Sequence, residues 1–372
     1  MNRRTFLKNS AGYAALLGCS PLLAGCRKAY YSTADFDEAP KADVHFHYYT
    51  SDDTLLKYAH SIGMYLVSVN VDAGESPIDE QLDIATILMK KNPGMMDFLG
   101  TFSVNEFGKD GFVEQTIARI DRCMNLGAKG IKIWKNIGME LQDEQGNYVM
   151  ADHPAFAPVF THLEKQGIPL MTHLGEPRNC WLPYDEMTNK GDLNYYQRHP
   201  QYHMYQHPEM PSYEAQITAR DHLLERYPKL SLTGAHIGSL EWNLDEVARR
   251  FEAYPNFTID LAARMSYLQL HACHDRSKLL SFLTKYQDRI LYGSDYSIAE
   301  TNPDVKEERI KGFRKSWLTH WRFLATDETV PSNHFTLASA PTEMAGLRMP
   351  RTIVDKIFYT NTQRTFGIKR AS

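Results

Sequence analysis

Cysteine is scarce in this 372-residue chain: five are present, too few and too scattered for a disulfide scaffold. No apolar run reaches the roughly 18 residues that a membrane-spanning helix needs. No block of one charge stands out either. Lys and Arg total 41 against 45 Asp and Glu, a net −4, and the lack of a basic block argues against nucleic acid as a partner. Neither G-x-G-x-x-G nor G-x-x-x-x-G-K-[ST] follows the first apolar run, which speaks against a dinucleotide or P-loop site. What is there, 43% hydrophobic, 23% charged and 12% aromatic, is the composition of a large globular unit.

Residues 1–25 read as an address. Arg3, Arg4 and Lys8 precede an apolar stretch without a single acid, the physics of an export signal. Arg3-Arg4-Thr5-Phe6-Leu7-Lys8 resembles the twin-arginine export motif, and Leu23-Ala24-Gly25-Cys26 resembles a lipobox in which Cys26 is lipidated. Leu16-Leu17-Gly18-Cys19 is a poorer match, with Leu where a small residue is usual. The expectation is a periplasmic or cell-envelope lipoprotein, delivered by the twin-arginine machinery and touching the membrane through a lipid anchor only. Removing 1–25 takes the net charge from −4 to −7. The remaining Cys123, Cys180 and Cys273 suit a chain that folds with reduced thiols before export. Residues 26–41 read as a polar linker.

From residue 42 onward, short apolar runs alternate with stretches of helical period. The runs are 42–49, 64–71, 96–104, 130–136, 168–176, 230–238, 256–264 and 290–297; helices are predicted over 77–92, 112–126, 212–227 and 241–253. Such alternation indicates parallel βαβ units. Five or six would suit an open sheet, whereas eight predict an α/β fold of the closed (β/α)8 TIM-barrel type. A single domain is expected over 42–372, with an insertion at 177–211 and C-terminal helices within 301–372.

Period two then sorts the faces. In the first run Val44 and Phe46 are expected on the helix side, with Asp43, His45 and His47 inward. Lys132 and Trp134 point inward opposite Ile131 and Ile133. His173 shares a face with Met171, His236 with Gly234 and Asp295 with Gly293. These polar groups sit near the C-terminal ends of their strands, where barrel enzymes place their chemistry. One inward His is ordinarily a hydrogen-bonded core residue. Four His and an Asp converging from four strand ends are the makings of a divalent-metal site with an open position.

His45-Phe46-His47, Thr172-His173-Leu174-Gly175-Glu176, Gly234-Ala235-His236-Ile237-Gly238 and Tyr292-Gly293-Ser294-Asp295 together resemble the amidohydrolase superfamily, in its amidohydrolase-related (family 2) branch. The closing Asn361-Thr362-Gln363-Arg364-Thr365-Phe366-Gly367 extends the resemblance over most of 42–368. It implies that His45, His47, His173 and Asp295 hold a divalent ion, Zn²⁺ or Mn²⁺, as one metal or two. Asp295 would also take a proton from bound water, and His236 would be either a further ligand or a group that polarises the substrate. Lys132 is either a carboxylated bridge between two metals, as in binuclear relatives, or a neutralising, substrate-binding amine. A divalent metal lowers the pKa of bound water from about 15.7 toward 7 and polarises the carbonyl under attack. A carboxylate at hydrogen-bond range is a suitable proton shuttle.

The leading expectation is a hydrolase that directs metal-bound hydroxide at an ester, lactone or amide. Its alternatives are a decarboxylase of the same branch and an exported barrel that binds a ligand without catalysis. An arginine over a substrate carboxylate would favour the decarboxylase. Arg264, at the end of the seventh run, either clamps such an oxygen or pairs internally with Asp260. Trp134, Lys135, Glu176, Arg178 and Trp181 leave the mouth and are expected to touch a small-molecule substrate, cyclic or sugar-derived. His271 and His274 open a predicted helix, and His203 and His207 lie in the insertion; both pairs are read as structural.

Overall fold

The computed structural model describes residues 29–369 apart from 75, 301 and 338. The export signal, the Cys26 lipidation site and the first linker residues lie outside the described residues. Nine short strands carry the architecture: β1 (Lys41–Tyr48), β2 (Met64–Val69), β3 (Met96–Leu99), β4 (Ile131–Ile133), β5 (Leu170–Thr172), β6 (Leu232–Gly234), β7 (Phe257–Asp260), β8 (Ile290–Leu291) and β9 (Tyr296–Ile298). All pair in parallel, in the orders β3-β2-β1-β9 and β4-β5-β6-β7-β8.

Both seams between these two groups are hydrogen-bonded. At one, Gly100 N donates to Gly130 O (2.9 Å) and Lys132 N to Gly100 O (2.7 Å). At the other, the single stretch 290–298 serves both sides: β8 pairs with β7 and β9 with β1. Between them Val44 N donates to Tyr292 O (3.0 Å) and Asp295 N to His45 O (2.8 Å). The eight staves thus form a (β/α)8 barrel. A Cβ on Gly293 would lie 2.9 Å from the His45 Cβ, so glycine is what allows the last stave to close on the first.

Apolar residues on the outer face, such as Phe46, Leu66, Ile131 and Ile259, pack beneath the helices. The interior is filled by Val44, Tyr65, Val67, Leu99 and Met171, with Phe366 packed against them. The first strand breaks period two. Its register with β2 slips between Asp43 and Phe46, a β-bulge. Val44 is therefore inside. Asp43, expected inside, faces the helix layer, where it accepts from Trp317 Nε1 (3.0 Å) and Ser294 N (2.9 Å). Burial pushes its carboxyl up to about 7. His45, Phe46 and His47 keep their expected faces because the extra residue falls ahead of them.

The four predicted helices are present as Ile78–Lys91, Phe112–Asn125, Tyr213–Arg226 and Leu244–Ala253. Side-chain caps mark the last two, Ser212 accepting from Ala215 N and Asn243 from Asp245 N. Residues 301–349 are not purely helical. A long helix, Pro303–Ala325, is followed by an antiparallel pair, β10 (Thr329–Pro331) and β11 (Glu343–Ala345). The segment read as a linker packs against the barrel from Ala29 on. Tyr31 packs at a tilt against Trp321 (4.6 Å) and bonds Asp355 (2.5 Å), and Phe36 is buried. Aromatic residues, absent from true tethers, explain the difference. The 177–211 segment folds as short helices around Cys180, Met187, Tyr196 and Met204. Among the described residues no helix is long and apolar enough to cross a membrane.

Candidate metal centre and adjoining cleft

The bulge and the closed seam bring His45, His47 and Asp295 together at the C-terminal mouth. Asp295 Oδ1 lies 3.2 Å from His45 Nε2 and 3.2 Å from His47 Nε2. The residue is held in the left-handed region, φ 66°, by its backbone bond to His45. A non-glycine residue pays for that conformation, and such strain clusters at functional sites.

Each imidazole has its tautomer set by a partner that can only accept. His45 Nδ1 faces Asp260 Oδ2 (2.8 Å), His47 Nδ1 faces Val69 O (3.1 Å) and His236 Nδ1 faces Ala262 O (2.9 Å). All three Nδ1 atoms must donate, which leaves the Nε2 lone pairs unprotonated. His236 Nε2 then accepts from His173 Nδ1 (3.2 Å). That in turn leaves His173 Nε2 as a buried lone pair without a hydrogen-bond partner, 3.9 Å from Glu176 Oε2.

Asp260 is the organising residue that strand periodicity did not single out. Besides His45, it accepts from His236 N (2.7 Å) and Ala262 N (3.1 Å). Its oxygens are taken by these donors, and of the two alternatives for Arg264 the internal pair with Asp260 does not form; Arg264 Nη1 donates to Ala263 O (3.1 Å). A cross-barrel contact between β1 and β7 leaves no local trace in sequence. Two trios of possible ligand atoms lie within 4.8 Å of one another, His45–His47–Asp295 and His45–His236–Asp260. The first fits a divalent ion. Two imidazole nitrogens and a carboxylate oxygen face each other, and separations of 3.2 Å match the edge of a tetrahedron with vertices about 2.0 Å from its centre.

Lys132 is fully buried with Nζ 3.2 Å from His45 Nε2, and burial brings its amine down to about 8. Burial likewise lowers His173 to about 4.

Beside this cluster opens a cleft of about 740 Å³ between the end of β4 and the 177–211 segment. Trp134, Lys135 and Glu176, three of the residues expected to touch substrate, line it. Lys135 Nζ pairs with Glu176 Oε1. Burial would raise the Glu176 carboxyl, yet Lys135 depresses it strongly. Arg178 and Trp181 lie elsewhere. The Arg178 guanidinium stacks on Trp242 (4.2 Å), and Trp181 packs on Tyr213 (5.6 Å) and donates to Pro211 O. Arg264 is buried in the field of Glu241 and Asp192, which raise its pKa against the effect of burial. Glu241, which sequence reasoning passed over, is pushed up to about 7 by burial despite Arg264. His203 is buried against Tyr184 (4.5 Å) and bonds Leu182 O, and His271 bonds Glu241 O; both are structural.

A family model described as amidohydrolase, Amidohydro_2, matches residues 107–368, so the His45–His47 pair precedes the matched region. No curated protein matches the chain in sequence. Among solved structures, a 2,6-dihydroxybenzoate decarboxylase from Rhizobium is similar with a TM-score of 0.50 and 17% identity, over 88% of this chain and 99% of that one. A candidate 2-pyrone-4,6-dicarboxylic acid hydrolase from Pseudomonas putida has a TM-score of 0.47 and 11% identity, over 90% and 99% of the two chains. Identities this low speak to the fold alone.

Proposed function

The chain belongs to the amidohydrolase family Amidohydro_2, and from that premise we propose that it is a divalent-metal-dependent hydrolase of uncharged esters, lactones or amides. The observation that carries the proposal is the meeting of two fixed imidazole lone pairs with the Asp295 carboxylate. His45, His47 and Asp295 would hold the ion, with the unpartnered Nε2 of His173 the next donor in the cluster. When bound, such an ion supplies a polarised carbonyl and a more acidic water.

The chain's own residues do the rest. Asp295 Oδ1 faces both imidazoles, so Oδ2 is the oxygen that takes a proton from water and returns it to the leaving group. Asp260 keeps His45 and His236 in place from opposite sides of one carboxylate. His236, hydrogen-bonded at its backbone N and at Nδ1, accepts from His173 at Nε2 and so positions that ring. Lys132 supplies a compact buried amine on the floor.

Hydrolysis of an uncharged carbonyl is favoured over decarboxylation by the pairing of Lys135 with Glu176, which leaves the cleft without an unpaired lysine or arginine for a substrate carboxylate. Chelator-treated protein reconstituted with Mn²⁺ or Zn²⁺ is to be screened on sugar lactones, simple esters and amides, with CO2 release from 2,6-dihydroxybenzoate as the rival arm. Hydrolysis without CO2 release supports the proposal, and CO2 release without hydrolysis reverses it.

Export is a separate proposal resting on the Arg3-Arg4 and Cys26 motifs. Arg3→Lys with Arg4→Lys should leave folded protein in the cytoplasm, and Cys26→Ala should remove it from the membrane fraction. A double-lysine variant that still reaches the envelope fully active would contradict folded export.

A further inference from the structure

Eight large hydrophobic side chains are exposed among the described residues, and three of them, Tyr195, Tyr202 and Tyr205, fall within eleven residues at the rim of the mouth. Such clustering on an otherwise ordinary surface marks a contact site. Tyr195 (37% exposed) and Tyr202 (46%) line the 740 Å³ cleft, with ring planes 10° apart and centroids 6.3 Å apart. Their faces run nearly parallel in the cleft, which Trp134 also lines at the end of β4. The floor is polar, with Lys135 and Glu176 paired there, and the exposed Gln201 adds an amide to the lining. Glu176 Oε2 lies 3.9 Å from His173 Nε2, so the floor of the cleft runs into the metal centre.

We propose that this cleft is a subsite for an uncharged, hydroxyl-bearing ring, which the 177–211 segment adds to the barrel as its specificity element. The inference rests on the hydrolase reading for the fate of the bound molecule, but not for its binding. Aromatic faces hold the flat of a ring, while ammonium, carboxylate and amide groups around it match hydroxyls, each of which both donates and accepts. Because Lys135 and Glu176 neutralise each other, the cleft offers no unpaired cation for an acidic ring. Its volume lies in the usual range for small-molecule sites and is large enough for two linked rings. Glycosyl and phenolic rings share this chemistry.

Equilibrium binding to the metal-loaded protein separates the two sources, with cellobiose as the glycosyl probe and catechin as the phenolic one, read by titration calorimetry and Trp fluorescence. At least one probe should bind with a dissociation constant of 10 mM or tighter. Tyr195→Ala with Tyr202→Ala should weaken that binding roughly tenfold. Tyr195→Phe with Tyr202→Phe, which keeps the faces, should retain most of it. Tyr205→Ala, which does not line the cleft, serves as the exposed-tyrosine control and should bind as the wild type does. The proposal is overturned if neither probe binds the wild type, if the double Ala variant binds as tightly, or if the Phe pair loses as much as the Ala pair. A protein that binds a ring through these tyrosines yet cleaves no ester, lactone or amide keeps this proposal and loses the earlier one.

Discussion

One nitrogen of each ring in His45, His47 and His236 is committed to a carbonyl or carboxylate, and the chemistry at the mouth depends on the other. Asp260 does the most for this order, serving two rings at once. Asp260→Asn keeps the shape but removes the charge that holds the His45 Nδ1–H. Metal affinity should fall by about 10- to 100-fold, measured by competition with a chromophoric chelator, with little change in fold by circular dichroism. Glu241 offers a test on stability instead. Its carboxyl is pushed up to about 7 by burial, above the ordinary 4.5, so it favours folding below about pH 4.5 and loses that contribution as pH rises through 7. Glu241→Gln mimics the protonated form. Its stability relative to the wild type should therefore improve from pH 5 to pH 8, by up to about 3 kcal/mol in chemical denaturation. A pH-independent difference would mean that Arg264 keeps the carboxylate charged throughout. Local sequence exposed His45, His47, His173, His236 and Asp295 because each ends an apolar run. It did not expose Asp260 or Glu241 as partners, since their contacts cross the barrel and the chain.

At the scale of elements, the bulge in β1 decides which side chains see the metal centre. Alternation placed both histidines on the correct face yet misplaced Val44 and Asp43, because one unpaired residue inverts everything before it and nothing after. Such a slip has no residue signature. The predicted helices were legible from their apolar period. The hairpin β10–β11 was not, because three-residue strands carry no period to read. Closure of the last stave on the first depends on Gly293. Gly293→Ala would push a methyl to within 2.9 Å of the His45 Cβ, parting Asp295 from His45. It should lower stability by about 1–3 kcal/mol and weaken metal binding together, both read on one sample by denaturation with and without metal. The packed N-terminal segment has its own anchor in Phe36, buried against Trp321 (6.0 Å) with the Lys41 ammonium 4.5 Å from its ring centre. Phe36→Ala should cost about 3 kcal/mol, whereas a true tether would show no change in denaturation midpoint.

Across the whole molecule, composition and the eightfold alternation were enough to indicate a barrel, and convergence of strand ends was enough to bring out a cluster of His and Asp able to hold a metal. What could not be read was how the additions to the barrel are arranged. The 177–211 segment is stabilised by contacts among Cys180, Met187, Tyr196 and Met204, and it turns Tyr195 and Tyr202 toward the mouth while leaving Arg178 and Trp181 on its far side. A loop without regular period gives no rule for which of its aromatics face the cleft. Glu176 is matched by a cation and Asp260 by several N–H donors; the exception is Asp295, which meets two imidazole nitrogens. That exception is the central claim, and metal titration addresses it directly. Mn²⁺ or Zn²⁺ titrated into chelator-treated wild-type protein by calorimetry should bind at one equivalent or more. His45→Ala with His47→Ala, folded by circular dichroism, should bind none at the same concentrations. Equal stoichiometry and affinity in the double variant would place the metal elsewhere and contradict the site described at the mouth.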